Sequence, residues 1–291
     1  MNRRLIIITN DGGKEDFLAG VSVDRQCYIN YFTSPEGGAW ERNEMFLPTT
    51  NSCSPAMLYA YMLNQEEKCH VDYWVVVFCG HGGATYDGKT YFCFQNTKKC
   101  FSEQIFRFSI GSRILLIADS CRSLPEYEQG GVLNQRIYCN ESLNDDEIYR
   151  RICRNIYNQK VLLVPLNTIT KGYASSFTEY ANEYEDGTGG YYSQALIESA
   201  KAEIKDAIIR RQTHPNKFTT DIASFSWIHA QAKQRVVELT NGKQNPVLVP
   251  PRTNQQPYYA EPAIEPLSQK LRSHKRKYKR KARQKKETKA R

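Results

Sequence analysis

The chain has 291 residues, 40% of them hydrophobic, and a formal charge of +9, which is enough to bury a full core in one large domain with an appendage. No stretch approaches the roughly 18 uninterrupted apolar residues of a membrane-spanning helix. Nine cysteines without a CxxC pair argue against a zinc site and for reduced thiols in a cytoplasmic protein.

Arg4 to Thr9 reads as the first strand, and its apolar run Leu5 to Ile8 is too short for a signal peptide. Asp11-Gly12-Gly13 turns the chain toward a helix from about Phe17 to Tyr31 that contains Asp24. A loop over Pro35 to Trp40 and a short strand near Glu44 to Leu47 follow. Ser54 then caps a helix with Pro55 in its first turn, running to about Glu67. The strand Tyr73 to Cys79 breaks at Gly80-His81-Gly82-Gly83. A hairpin around Tyr86-Asp87-Gly88, a strand Tyr91 to Gln95 and a short helix Glu103 to Phe108 lead to the strand Arg113 to Ala118, which breaks at Asp119-Ser120-Cys121. A long loop extends to about Asp145, followed by a helix to Tyr157, a strand Val161 to Leu166 and a polar loop from Thr170 to Gly190. The helices Tyr191 to Arg211 and Phe225 to Leu239 and the segment Asn245 to Val249 complete the body.

Continuous Val/Ile/Leu strands without alternation are covered on both faces. With the strand and helix alternation they predict a three-layer α/β/α sandwich around a mostly parallel sheet. The domain division follows composition: a body over 1–250, a proline-marked linker over 251–269, and a basic tail over 270–291. The tail carries +12 and the remainder −3, so the body is mildly acidic. The tail has almost nothing apolar to bury. It suits contact with a polyanion, either nucleic acid or anionic lipid.

The two central strands end on the one strong catalytic combination in the chain. Glycines on both sides of His81 let the backbone turn sharply and leave the imidazole room to face a substrate. Ligands of such sheets sit at the carboxyl ends of the strands, so His81 and Cys121 meet at one rim if their strands are neighbours. A thiolate is a nucleophile, an imidazole takes its proton, and backbone N–H groups hold the oxyanion of a tetrahedral intermediate. The amides of Gly82 and Cys121 lie on the turns that need such donors. Taken singly, Cys121 reads as a small buried hydrophobe and His81 as a turn histidine. Their shared placement at strand ends favours catalysis.

At these residues the sequence resembles the caspase-like cysteine peptidases, nearer to metacaspases and bacterial caspase homologues than to animal caspases. Gly80-His81-Gly82 and Asp119-Ser120-Cys121 match the family's histidine and cysteine turns, whereas only Cys121-Arg122 fits the Gln-Ala-Cys-Arg-Gly of animal caspases. Leu18 to Asp24, Gly189 to Leu196 and Gly242 to Leu248 are similar to three further family segments, the last of them a closing Gln-x-Pro. The resemblance implies a caspase-like fold and a cysteine endopeptidase acting on a protein or peptide substrate. It implies Cys121 as nucleophile, His81 as general base and Gly82 beside the oxyanion. It further implies that Asp24 and Asp119 bind a P1 Arg or Lys, with Cys79 at the pocket wall.

The residues alone leave other roles open. Asp119 also suits a cap on the turn after its strand, and Asp24 an exposed helix position. The segment from 82 to 120 contains only Asp87, Glu103 and Asp119 as acids, a poor match to the six to eight oxygens of calcium, so calcium independence and no cofactor are expected. Arg122, Arg136, Arg150 and Arg151 in and around the long loop offer bonds for self-processing. The departures are Arg122, Leu124 and Val21, where the family more often has His, Gly and Cys. Two alternatives stand beside the basic-specific peptidase. One is an aspartate-specific caspase-type protease. The other is a noncatalytic caspase-like module tethered to nucleic acid or membrane by its tail. An activating partner protein is also expected, since no regulatory domain is appended.

Overall fold

The computed structural model describes residues 1–12, 17–48, 53–94, 100–107, 111–124, 147–213, 223–251, 253 and 257–260. The elements in chain order are β1 (Arg3–Asn10), α1 (Gly20–Thr33), β2 (Met45–Phe46), α2 (Pro55–Cys69), β3 (Tyr73–Gly80), β4 (Gly82–Ala84), β5 (Thr90–Cys93), β6 (Cys100–Ser102) and β7 (Arg113–Asp119). They continue with α3 (Glu147–Leu162), β8 (Thr168–Tyr173), α4 (Tyr191–Thr213), β9 (Ala223–Ser224), α5 (Phe225–Leu239), β10 (Val247–Val249) and β11 (Tyr258–Ala260). Six strands form the central sheet in the order β10-β8-β7-β3-β1-β2. Only β10 runs antiparallel to its neighbour, β8.

Alternate residues of the apolar strands supply two separate cores, because successive side chains of a strand point to opposite faces. Leu5, Ile7, Val75, Val77, Leu115 and Ile117 join one cluster with side chains of α1, α3, α4 and α5. Ile6, Ile8, Trp74, Val76, Phe78, Ile114 and Leu116 join the other with Leu58 and Met62 of α2 and with Phe92 and Phe101 of the small β4-β5-β6 sheet. Each fully buried aliphatic side chain contributes roughly 1.5–3 kcal/mol. The mostly parallel sheet between helix layers is the architecture expected from the uninterrupted apolar runs.

One expected strand lies elsewhere. Val161 to Leu166 does not form one: α3 continues through Leu162, and the strand is Thr168–Tyr173. The helical spacing decides this, since Cys153, Tyr157 and Val161 recur every fourth residue and are all fully buried, whereas Leu163 and Leu166 are exposed. β8 is polar for an inner strand. Its Lys171 is neutralised by Glu103 at 2.6 Å, and the Tyr173 hydroxyl donates to the same carboxylate. The expected helix at Glu103 is a 3-10 turn over Glu103–Arg107.

Packing also extends past Pro251, where the linker was expected to begin. Tyr258–Ala260 pairs with Ala223–Ser224, and Tyr259 is fully buried in the α1/α4/α5 cluster. The long loop over 125–146, with Arg136, and residues 261–291, with the basic tail, lie outside the described residues. Among the described residues no helix is long and apolar enough to cross a membrane.

Candidate active site

The register between β3 and β7 decides what meets at the sheet's carboxyl edge. The strands pair in parallel with Cys79 opposite Asp119, so His81 and Cys121, each two residues further on, leave the sheet at the same level. The two turns are joined directly, Ala84 N–H donating to the Ser123 carbonyl at 3.0 Å. Glycine is required at position 82 because a Cβ there would stand 2.9 Å from Ser120 Oγ and 2.9 Å from the Tyr91 carbonyl oxygen. His81 and Cys121 are both half-buried, reachable by solvent yet seated on rigid strand ends.

Loop 174–190, between β8 and α4, lies against the thiol. Ala181 N–H donates to Cys121 Sγ at 3.4 Å, and Sγ donates to the Ala181 carbonyl at 3.6 Å. Arg122 fastens the next residue of the turn: its guanidinium stands 4.3 Å from the centre of the Tyr173 ring, and its Nε donates to Thr90 Oγ1 at 3.1 Å. Thus Arg122 anchors the turn by a cation–π contact.

The expected carboxylates converge. Asp24 from α1 and Asp119 from the end of β7 both reach the first turn of α4, where they are 2% and 7% exposed. Asp24 accepts from Gly190 N–H at 2.8 Å and from Gln194 Nε2 at 2.8 Å. Asp119 Oδ2 accepts from Ser193 N–H at 2.9 Å and Ser193 Oγ at 2.6 Å. Free amides and the positive end of the helix favour anions at this spot. Gly190 must lack a side chain because a Cβ would run into the Asp119 carboxylate.

Burial and mutual repulsion nevertheless dominate. Desolvation, then the Asp119 charge, push Asp24 well above the usual carboxylate range against the Gly190 and Gln194 hydrogen bonds. Burial lifts Asp119 to about 6 despite the two Ser193 hydrogen bonds. Among the described residues neither carboxylate meets a lysine or arginine. Cys79 lies beside the pair, its Sγ 3.9 Å from Ser193 Oγ. Burial, then Asp24 and Asp119, raise its thiol far above the ordinary value, which makes this cysteine a poor nucleophile.

The structure adds a third carboxylate. Glu183 Oε2 accepts from Gly20 N–H at 2.9 Å. Burial raises its pKa, opposed first by the Gly20 and Ala19 amides and then by the nearby His81. Its charge also raises Asp24 and Asp119, so it adjoins both the histidine and the carboxylate pair. Nothing local in the polar loop separates Glu183 from its neighbours Glu179, Glu185 and Asp186. Among the described residues no group of His, Cys, Asp or Glu is arranged to hold a metal ion.

Comparison with known proteins identifies the family and the fold. The family model of the caspase domain, peptidase family C14, matches residues 3–256. The crystal structure of caspase-1 from Spodoptera frugiperda superposes with a TM-score of 0.50 at 12% identity, covering 86% of each chain, a likeness of fold. No curated protein matches the sequence significantly. With most of its length matched by that family model, and a histidine turn and a cysteine turn side by side at the carboxyl edge of a caspase-type sheet, the chain belongs to the caspase-domain family of cysteine peptidases.

Proposed function

We propose that the protein is a metacaspase-type cysteine endopeptidase that cleaves after Arg or Lys. The observation that carries the specificity is the buried pair Asp24 and Asp119, held by neutral donors only among the described residues. Two buried carboxylates without a cation are costly to ionise. A P1 guanidinium or ammonium supplies the missing charge with several N–H donors. An aspartate side chain would meet repulsion instead. The pair is buried in this structure, so this reading requires the chain around 183–193 to open to admit a P1 side chain.

In the proposed reaction Cys121 gives its proton to His81 and its sulfur bonds to the P1 carbonyl carbon. The oxyanion is held by the Gly82 and Cys121 amides. His81 passes the proton to the leaving amine as the C–N bond breaks, leaving a thioester. Water, deprotonated by His81, then hydrolyses the thioester and restores the thiol. The chemistry needs Cys121 reduced, which fits the cytoplasmic setting we propose. We assign the 270–291 tail, with its +12 charge, to polyanion contact.

The test is hydrolysis of matched peptides with P1 Arg and P1 Asp by the full chain and by its Cys121→Ala variant. Arg cleavage lost in the variant supports the nucleophile and the carboxylate pocket together. Asp cleavage would keep the nucleophile and overturn the pocket. Hydrolysis of neither peptide by protein pre-incubated with a polyanion would count against the peptidase itself.

A further inference from the structure

The segment Gly242-Lys243-Gln244-Asn245-Pro246 has no part in the chemistry above, yet it is tied to the loop that touches the nucleophile. α5 ends at Leu239, and Thr240 Oγ1 takes the Gln244 N–H at 3.1 Å, closing the turn that follows. Gln244 is completely buried. Its Nε2 donates to the Ala174 carbonyl at 3.0 Å, and its Oε1 accepts from Asn182 N–H at 2.9 Å and Asn182 Nδ2 at 3.4 Å. One side chain thus spans both ends of the stretch from 174 to 182.

Asn245 holds the middle of that stretch. Its N–H and Nδ2 donate to the two oxygens of the Glu179 carboxylate, each at 2.8 Å, and its carbonyl accepts from Ser176 Oγ at 3.0 Å. Glu179 also accepts from Ser176 N–H at 3.1 Å. The stretch meets the cysteine turn through backbone bonds, Arg122 N–H to the Glu179 carbonyl and Thr178 N–H to the Arg122 carbonyl, both at 3.0 Å. Between these fixed points Ala181 presents its N–H and its carbonyl to Cys121 Sγ.

We propose that Gln244 and Asn245 are positioning residues for Cys121, acting through residues 174–182 to hold the Ala181 peptide against the sulfur. This deepens the peptidase reading and rests on it. The chemistry is asymmetric: an N–H aimed at sulfur favours the thiolate, whereas a carbonyl accepting from S–H favours the neutral thiol. A loop free to slide would change that balance, and a loop pinned at four points holds it. Truncation of Gln244 leaves the buried Ala174 carbonyl and the Asn182 N–H without these partners, and the loop would shift to satisfy them.

The test is iodoacetamide labelling of Cys121, followed by peptide mass spectrometry as a function of pH in the full chain, with kcat and KM on the P1-Arg peptide measured alongside. Gln244→Ala and Asn245→Ala are expected to move the labelling midpoint, in either direction, by about half a pH unit or more. They are expected to lower kcat roughly tenfold with KM within about twofold. Glu179→Gln, which keeps one acceptor for Asn245 Nδ2, is expected to fall between them and the parent. Folded variants with the parental labelling profile would overturn the proposal. Asn245→Ala, at a partly exposed position, decides the matter alone where Gln244→Ala does not fold. If the parent chain cleaves neither peptide the peptidase reading fails, while the labelling comparison still tests the loop.

Discussion

Asp24 on α1 and Asp119 at the end of β7 are held by the same helix start, one through Gly190 N–H at 2.8 Å and the other through Ser193 N–H at 2.9 Å. The first turn of α4 therefore serves as a shared anion seat. The seat is close enough to bring the two charges into conflict, and that conflict gives the site measurable properties.

The first is pH dependence. Asp119 has its folded-state pKa at about 6, above the ordinary carboxylate value, through burial. In the proposed pocket, binding of a cationic P1 group needs the ionised form, so KM for a P1-Arg peptide is expected to rise as pH falls through about 6. For stability the sign is opposite. Between the unfolded value and about 6 the folded chain holds the extra proton, so this contribution is complete at low pH and is lost as pH rises through about 6.

Asp119→Asn follows from the same argument. Removing a buried carboxylate whose pKa burial has lifted to about 6 is expected to stabilise the fold by on the order of 1–3 kcal/mol at neutral pH. Hydrolysis after Arg should be lost in the same variant. Denaturant unfolding at pH 4.5 and 7.5 checks the gain, which should shrink at the lower pH; a destabilised variant would mean that the Ser193 hydrogen bonds outweigh the desolvation.

Glu183→Gln tests the third carboxylate. If the proposed pocket holds a P1 cation, losing one neighbouring charge is expected to raise KM for P1-Arg roughly tenfold, with a smaller effect on kcat. Its charge and that of His81 act on each other through space, so kcat gives a second readout. Steady-state kinetics across pH 5–9 separate the two. An unchanged KM would remove Glu183 from the pocket.

Tyr259 makes the C-terminal strap part of the core. Its ring stacks on Tyr31 at 5.0 Å and meets Phe225 edge-on at 5.4 Å, while its carbonyl accepts from the Tyr31 hydroxyl at 2.6 Å. Tyr259→Ala is expected to cost about 3–5 kcal/mol and to lower the melting temperature by roughly 10 °C. Deletion from residue 251 should reproduce that loss, so an experiment aimed at the basic tail must leave Pro257–Ala260 in place. Thermal unfolding of the two forms checks both statements.

Local pattern was sufficient for most of the long helices and for the central strands β1, β3 and β7 with their ends. Uninterrupted apolar runs that break at Gly80-His81-Gly82 and Asp119-Ser120-Cys121 mark two buried strands and the residues presented at their ends, because strand burial and turn chemistry are encoded by neighbours in the chain. The polar inner strand β8 escaped this reading, since its Lys171 and Tyr173 are satisfied by Glu103, a residue distant in sequence. The same holds for the site. That Cys79 lies opposite Asp119, that Asp24 shares a helix start with Asp119, and that Gln244 clasps the loop over Cys121 are decided only by the tertiary structure. Each of those contacts uses backbone N–H or carbonyl groups, which every residue carries and which leave no mark in the side-chain sequence, together with side chains brought close only by the fold.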